Sequence, residues 1–170
     1  MMQKIMRKNC GLIPKEWFSP KYRALPYKRK LEIRRKLNRQ VYKIEEEVNK
    51  AADEASKFNK KLSEIALAKT PIDVALSEEK AKRYLLSLRM EKLENAVAEY
   101  TKFASQWFLA FDPGFSSLER CTIPLERKVH GINSIIGCMK SYLGKASENL
   151  QIIERRIIMK DVFLHKVVEK

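Results

Sequence analysis

Residues 37–65 read LNRQVYKIEEEVNKAADEASKFNKKLSEI. Their apolar positions, Leu37, Val41, Ile44, Val48, Ala51, Ala55, Phe58, Leu62 and Ile65, are separated alternately by four and three residues. That spacing returns each side chain to one face of a helix and makes a heptad seam lasting four repeats. Glu45, Glu47, Glu54 and Lys61 flank the seam.

Toward the C-terminus the helix is expected to stop near Lys69. Thr70-Pro71-Ile72-Asp73 has the order of an N-cap, a first-turn proline and a capping-box acid, and Ser77-Glu78-Glu79 offers a second start. The same spacing then resumes at Leu86, Met90, Leu93, Val97, Tyr100, Ala104, Trp107 and Phe111, and Asp112-Pro113-Gly114 ends it as a turn. Phe115 to Ile123 reads as a loop or short helical turn, with Ser116 and Glu119 spaced as a capping box. A third seam runs through Leu125, Val129, Ile132, Ile136, Met139, Leu143, Ala146, Leu150, Ile153, Ile157, Lys160, Leu164 and Val167. Gly131, Gly137 and Gly144 fall off this seam, so they lower helix propensity without removing core side chains.

Three amphipathic helices with short connections predict an all-α fold, an antiparallel three-helix coiled-coil bundle of elongated form. Its domain covers 27–170, with helices over about 27–69, 71–111 and 124–168, each roughly 50–65 Å long at helical rise. Residues 1–26 form a separate segment. Pro14, Pro20 and Pro26 punctuate GLIPKEWFSPKYRALP, so a regular helix is excluded and an extended basic, aromatic arm is expected. Antiparallel order brings Phe103, Trp107, Phe108 and Phe111 to the arm's end of the bundle, where Trp17 and Phe18 are expected to dock. At the other end the last helix overhangs. Ile158, Phe163, Leu164, Val167 and Val168 are too apolar to face water alone and predict a protein interface there. Ile135, Tyr142 and Phe163 widen the third helix's apolar stripe in the same sense.

Charge divides the chain unequally. Of the net +14, residues 1–43 carry fourteen Lys and Arg against Glu16 and Glu32, so the remainder is almost neutral. The densest part is YKRKLEIRRKLNRQVYK, residues 27–43. At 100° per residue, Lys28, Arg29, Arg35, Lys36, Arg39 and Lys43 share about a 120° arc opposite Leu37, Val41 and Ile44. Lys21 and Arg23 extend this positive surface into the arm, interleaved with the rings of Trp17, Phe18, Tyr22 and Tyr27. A solvated face mixes signs; this stripe does not until Glu45. Its chemistry fits a polyanion, and Arg forks with adjacent stackable rings favour RNA.

Catalytic chemistry is hard to find. His130 and His165 are thirty-five residues apart on one helix, about 50 Å, and cannot share a metal or a proton. Cys121 near His130 lacks a third orienting group. There is no glycine-rich phosphate loop, HExxH or EF-hand spacing, and Glu45-Glu46-Glu47 point in different directions. The expectation is a chain that is not an enzyme, with no cofactor, no metal and no small-molecule substrate. Cys10, Cys121 and Cys138 are odd in number and lack CxxC spacing, which points to a reducing compartment, mitochondrial matrix or cytoplasm, and not to secretion. No apolar run approaches the ~18 residues that span a bilayer. The opening MMQKIMRKNCGLIPKEWF is basic and acid-poor like a mitochondrial presequence, but it is poor in Ser and broken by proline. The stripe itself is not expected to be removable, because Leu37 and Val41 belong to the core.

In style, a proline-rich basic arm followed by long helices resembles the tails of ribosomal proteins that thread across ribosomal RNA. The resemblance is one of composition over residues 1–43. It implies a structural subunit of a ribonucleoprotein, gripping RNA at its basic end and neighbouring proteins along its helices. Microtubules, through acidic tubulin tails, and anionic membrane surfaces are the alternative partners.

Overall fold

The computed structural model describes residues 18–69, 74–108 and 124–168, with side chains followed as far as Lys160. These residues are almost wholly helical: α1 (Pro20–Arg23), α2 (Tyr27–Leu67), α3 (Leu76–Ser105) and α4 (Pro124–Val168). Among them the one extended pairing is an isolated antiparallel bridge between Phe18 and Phe108.

A short helix, α1, stands where an extended arm was expected. Pro20 occupies a first-turn position, where its missing N–H costs nothing, and the Ser19 hydroxyl accepts the Tyr22 N–H at 3.2 Å. After the turn at Ala24 and Leu25, the Pro26 carbonyl accepts the Lys30 N–H at 3.1 Å and so opens α2. The chain then runs helically for 41 residues.

α2 ends at Leu67, close to the expected stop. Its final carbonyls are satisfied from another helix, since the Arg156 guanidinium donates to Ile65 O at 3.2 Å and to Ala66 O at 2.9 Å. α3 starts later than position 71. The Ala75 carbonyl accepts the Glu78 and Glu79 N–H groups at 3.0 and 3.2 Å, which leaves Ser77 inside the helix instead of capping it. The cap read at 70–73 lies outside the described residues. α3 also stops short of position 111. After Ser105 the backbone turns, the Trp107 carbonyl accepts the Ser19 N–H at 2.9 Å, and Phe108 bridges Phe18, so these groups serve the arm and not a longer helix. The Asp112-Pro113-Gly114 turn and the loop to Ile123 lie outside the described residues. α4 begins with Pro124 in its first turn, where a proline's missing N–H costs nothing.

Two compact units make up the chain, and α2, α3 and α4 each contribute to both. The first joins Met1–Val48 with Leu93–Ile135. Its buried residues include Ile33, Leu37, Val41, Val48, Leu93, Val97, Tyr100, Ala104, Leu125, Val129 and Ile132. All but Ile33 are seam positions, and Ile33 lies one turn before Leu37, a four-residue step where the alternation calls for three. Lys128 of α4 reaches Glu45 of α2 at 3.0 Å within this unit.

The second unit joins Asn49–Lys92 with Ile136–Lys170. Phe58, Leu62 and Ala66 pack with Ala146, Leu150 and Ile153, and Ile65, Leu76, Leu86 and Ile157 close around them. Polar contacts link the same helices: Asn149 to Asn59 at 3.1 Å, Lys80 to Glu154 at 3.1 Å, Arg89 to Glu54 at 2.6 Å, and the Arg83 Nε to the Leu143 carbonyl at 3.1 Å. Glu79 is the buried acid here, at 5% exposure. One of its oxygens takes Lys61 at 2.9 Å and Lys82 at 3.3 Å. Burial pushes its carboxyl up, but the two ammonium groups outweigh that and hold it below the usual range.

Candidate nucleic-acid interface

The first turns of α2 present their cations outward because the opposite side is committed to the core. Leu37 and Val41 are fully buried, whereas Lys28, Arg29, Arg35, Lys36, Arg39 and Lys43 are all exposed, as are Lys21 and Arg23 of α1. Of these eight, among the described residues, Arg29 alone makes an ion pair, with Glu32 at 2.9 Å. Both members of that pair are well solvated, so it holds little of the charge in place. Arg39 Nε donates to the Arg35 carbonyl at a long 3.4 Å. The remaining fixed contacts are with rings. Lys36 Nζ sits 4.8 Å from the Phe103 centroid and Lys21 Nζ 5.4 Å from that of Trp107. These place both ammonium groups over aromatic faces while leaving them open to solvent.

The arm is anchored by stacking. The Phe18 and Tyr22 rings lie 4.5 Å apart and 10° from parallel, Phe18 meets Phe108 at 5.1 Å, and Tyr22 meets Trp107 at 6.3 Å and Phe108 at 5.7 Å. Phe103 closes edge-on to Trp107 at 6.4 Å. The expected docking therefore occurs through Phe18, with Tyr22 as its main partner; Trp17 and Phe111 lie outside the described residues. Tyr22 is 3% exposed, and burial pushes its phenol up despite the opposing charge of Arg34. Among the rings interleaved with the arm's cations it is thus a core ring that packs the arm, closed to a base. Tyr27, at 77% exposure, is open.

Tyr42 is the ring that sequence reasoning missed. It follows Val41 of the seam, is 57% exposed and carries Lys128 Nζ 4.1 Å from its centroid. The available signal was its place one turn from Arg39 and beside Lys43. Arg35, Asn38, Arg39, Tyr42, Lys43 and Glu46 line one surface depression.

At the far end, Ile158 is exposed and Ile157 packs on the core of its unit. Phe163, Leu164, Val167 and Val168 lie on α4, beyond the described side chains. Tyr84 and Leu85 on α3, both 62% exposed, are further apolar surface that the seam reading left out. His130 and Cys138 are exposed. Among the described residues no three His, Cys, Asp or Glu side chains converge as metal ligands, and no helix is long and apolar enough to cross a membrane.

No known family, curated protein or solved structure matches this chain. The functional reading therefore rests on the geometry of its own residues.

Proposed function

We propose that the chain is a non-enzymatic structural subunit of a large ribonucleoprotein, a ribosomal protein of the kind a mitochondrial ribosome contains. In this reading its three long helices form an antiparallel coiled coil, its arm and the start of α2 bind RNA phosphates, and its helices and C-terminal end meet neighbouring proteins. It works in the mitochondrial matrix or cytoplasm. The observation that carries the reading is the set of eight exposed cations with a single internal ion pair. Elsewhere several basic groups are paired with acids from another helix, as Lys61, Lys80, Arg89 and Lys128 illustrate. A stripe with one solvated ion pair keeps most of its charge for a partner, and forked guanidinium donors suit phosphate.

The test is direct. Reversing Arg35, Arg39 and Lys43 to Glu is expected to abolish binding of structured RNA and leave helicity by circular dichroism unchanged, because none of the three side chains is in the core. Neutralising single stripe cations should reduce the salt slope of binding by about 0.7–0.9 each. Anionic liposomes and microtubules tested across the same salt series distinguish the other polyanions. Tight, stripe-dependent binding to either, with none to RNA, would overturn the proposal.

A further inference from the structure

The six residues around the depression on α2 fall into two adjacent rows. Arg35, Arg39 and Lys43 follow one i,i+4 ridge, and Asn38, Tyr42 and Glu46 follow the next. The first ridge is wholly cationic. The second places an amide, an aromatic ring and an acid at successive turns, and the depression lies between the ridges. We infer that this groove binds an unpaired nucleotide of single-stranded RNA, with its base stacked on Tyr42 and its phosphates on Arg35, Arg39 and Lys43.

Three observations converge on the ring. Tyr42 is 57% exposed, turned away from the core face on which Val41 is fully buried. One face is covered by the Lys128 ammonium at 4.1 Å, and that lysine is itself held by Glu45 at 3.0 Å. The ring is thus braced from α4, and the rest of it is left for a ligand. A braced ring loses little freedom when a base settles on it, which is the condition for a strong stack. Third, the neighbours supply what a nucleotide needs beyond a flat surface. Cations sit on the flanking ridge for the backbone, and the Asn38 amide, one turn away, can donate to and accept from a base edge. Glu46, the acid of the second ridge, lies one turn beyond Tyr42. From Arg35 to Lys43 the track is about 12 Å at helical rise.

The inference rests on the RNA reading of the stripe and narrows it. Phosphate contacts alone would accept any polyanion; a base stack requires an unstacked nucleotide and rejects a duplex. The experiment uses the full chain with a fluorescently labelled single-stranded RNA of about 12 nucleotides, its abasic counterpart and a duplex of the same length. Wild-type protein should favour the intact single strand over both. Tyr42→Ala should weaken its binding about 5- to 100-fold, the loss of one base stack, with the salt slope unchanged. Tyr42→Trp should restore it, and binding of the abasic strand should not respond to either change. If Tyr42→Ala binds like wild type while reversal of Arg35, Arg39 and Lys43 abolishes binding, the stack is overturned and the phosphate reading stands. If neither change matters, both are overturned. Equal, Tyr42-independent affinity for the duplex would also overturn the stack.

Discussion

Glu79 sits in the first turns of α3, where a carboxylate favours the positive end of the helix, yet its burial comes from Lys61 and Lys82 and not from capping. Its folded-state pKa is lowered relative to an ordinary glutamate at 4.5, so its contribution to stability is complete above that value and is lost as pH falls through the depressed one. Glu79→Gln should therefore cost about 1 kcal/mol at neutral pH, less than a fully buried charged hydrogen bond because both lysines are half exposed. The gap between variant and wild type in urea titrations should narrow below about pH 4.5 and close in stronger acid. Lys61 is raised by the hydrogen bond to Glu79, so the same pair also weakens above the ordinary lysine range, as pH rises through the raised value. None of this was legible at position 79. The residue read as a capping acid, and its partner stands 18 residues earlier, on α2.

For whole elements, heptad spacing made most of the core readable. Of the nine positions from Leu37 to Ile65, all but Ile44 and Ile65 are buried, and in α4 every seam residue from Leu125 to Ile153 is buried. Burial follows periodicity because a helix has one face to spare. Ends are different. Ser77 lost the cap to Ala75, and α3 stopped at Ser105 because Trp107 and Phe108 gave their backbone to the arm. Such endings depend on partners distant in sequence, which local propensity does not contain. The off-seam reading of Gly131, Gly137 and Gly144 has a usable consequence, since an added Cβ at any of them meets nothing within 4 Å. Each Gly→Ala change should stabilise the protein by about 0.5–1 kcal/mol, additively, and raise the thermal midpoint.

Across the whole molecule the uneven charge sets the response to salt. Fourteen basic residues against two acids in 1–43 repel one another, so raising salt from about 50 to 300 mM should raise the thermal midpoint of the free protein by a few degrees. With RNA bound, the same salt increase should lower it, because the ligand that stabilises the fold is released. The uneven charge was legible from composition. The groove beside Tyr42 was not, because the residue that braces it, Lys128, comes from α4.

The guanidinium that finishes α2 has a consequence for synthesis. Arg156 leaves the ribosome 91 residues after Ile65, whose carbonyl it satisfies. At about 5–20 residues per second the end of α2 waits roughly 5–18 s for its cap. Over that interval Phe58, Leu62 and Ala66 also lack Ala146, Leu150 and Ile153, so the nascent chain carries an uncovered apolar surface until its last stretch emerges. A release of the chain before Arg156 would hand that surface to chaperones or aggregates, and truncation, more than point mutation, is the lesion this architecture tolerates least.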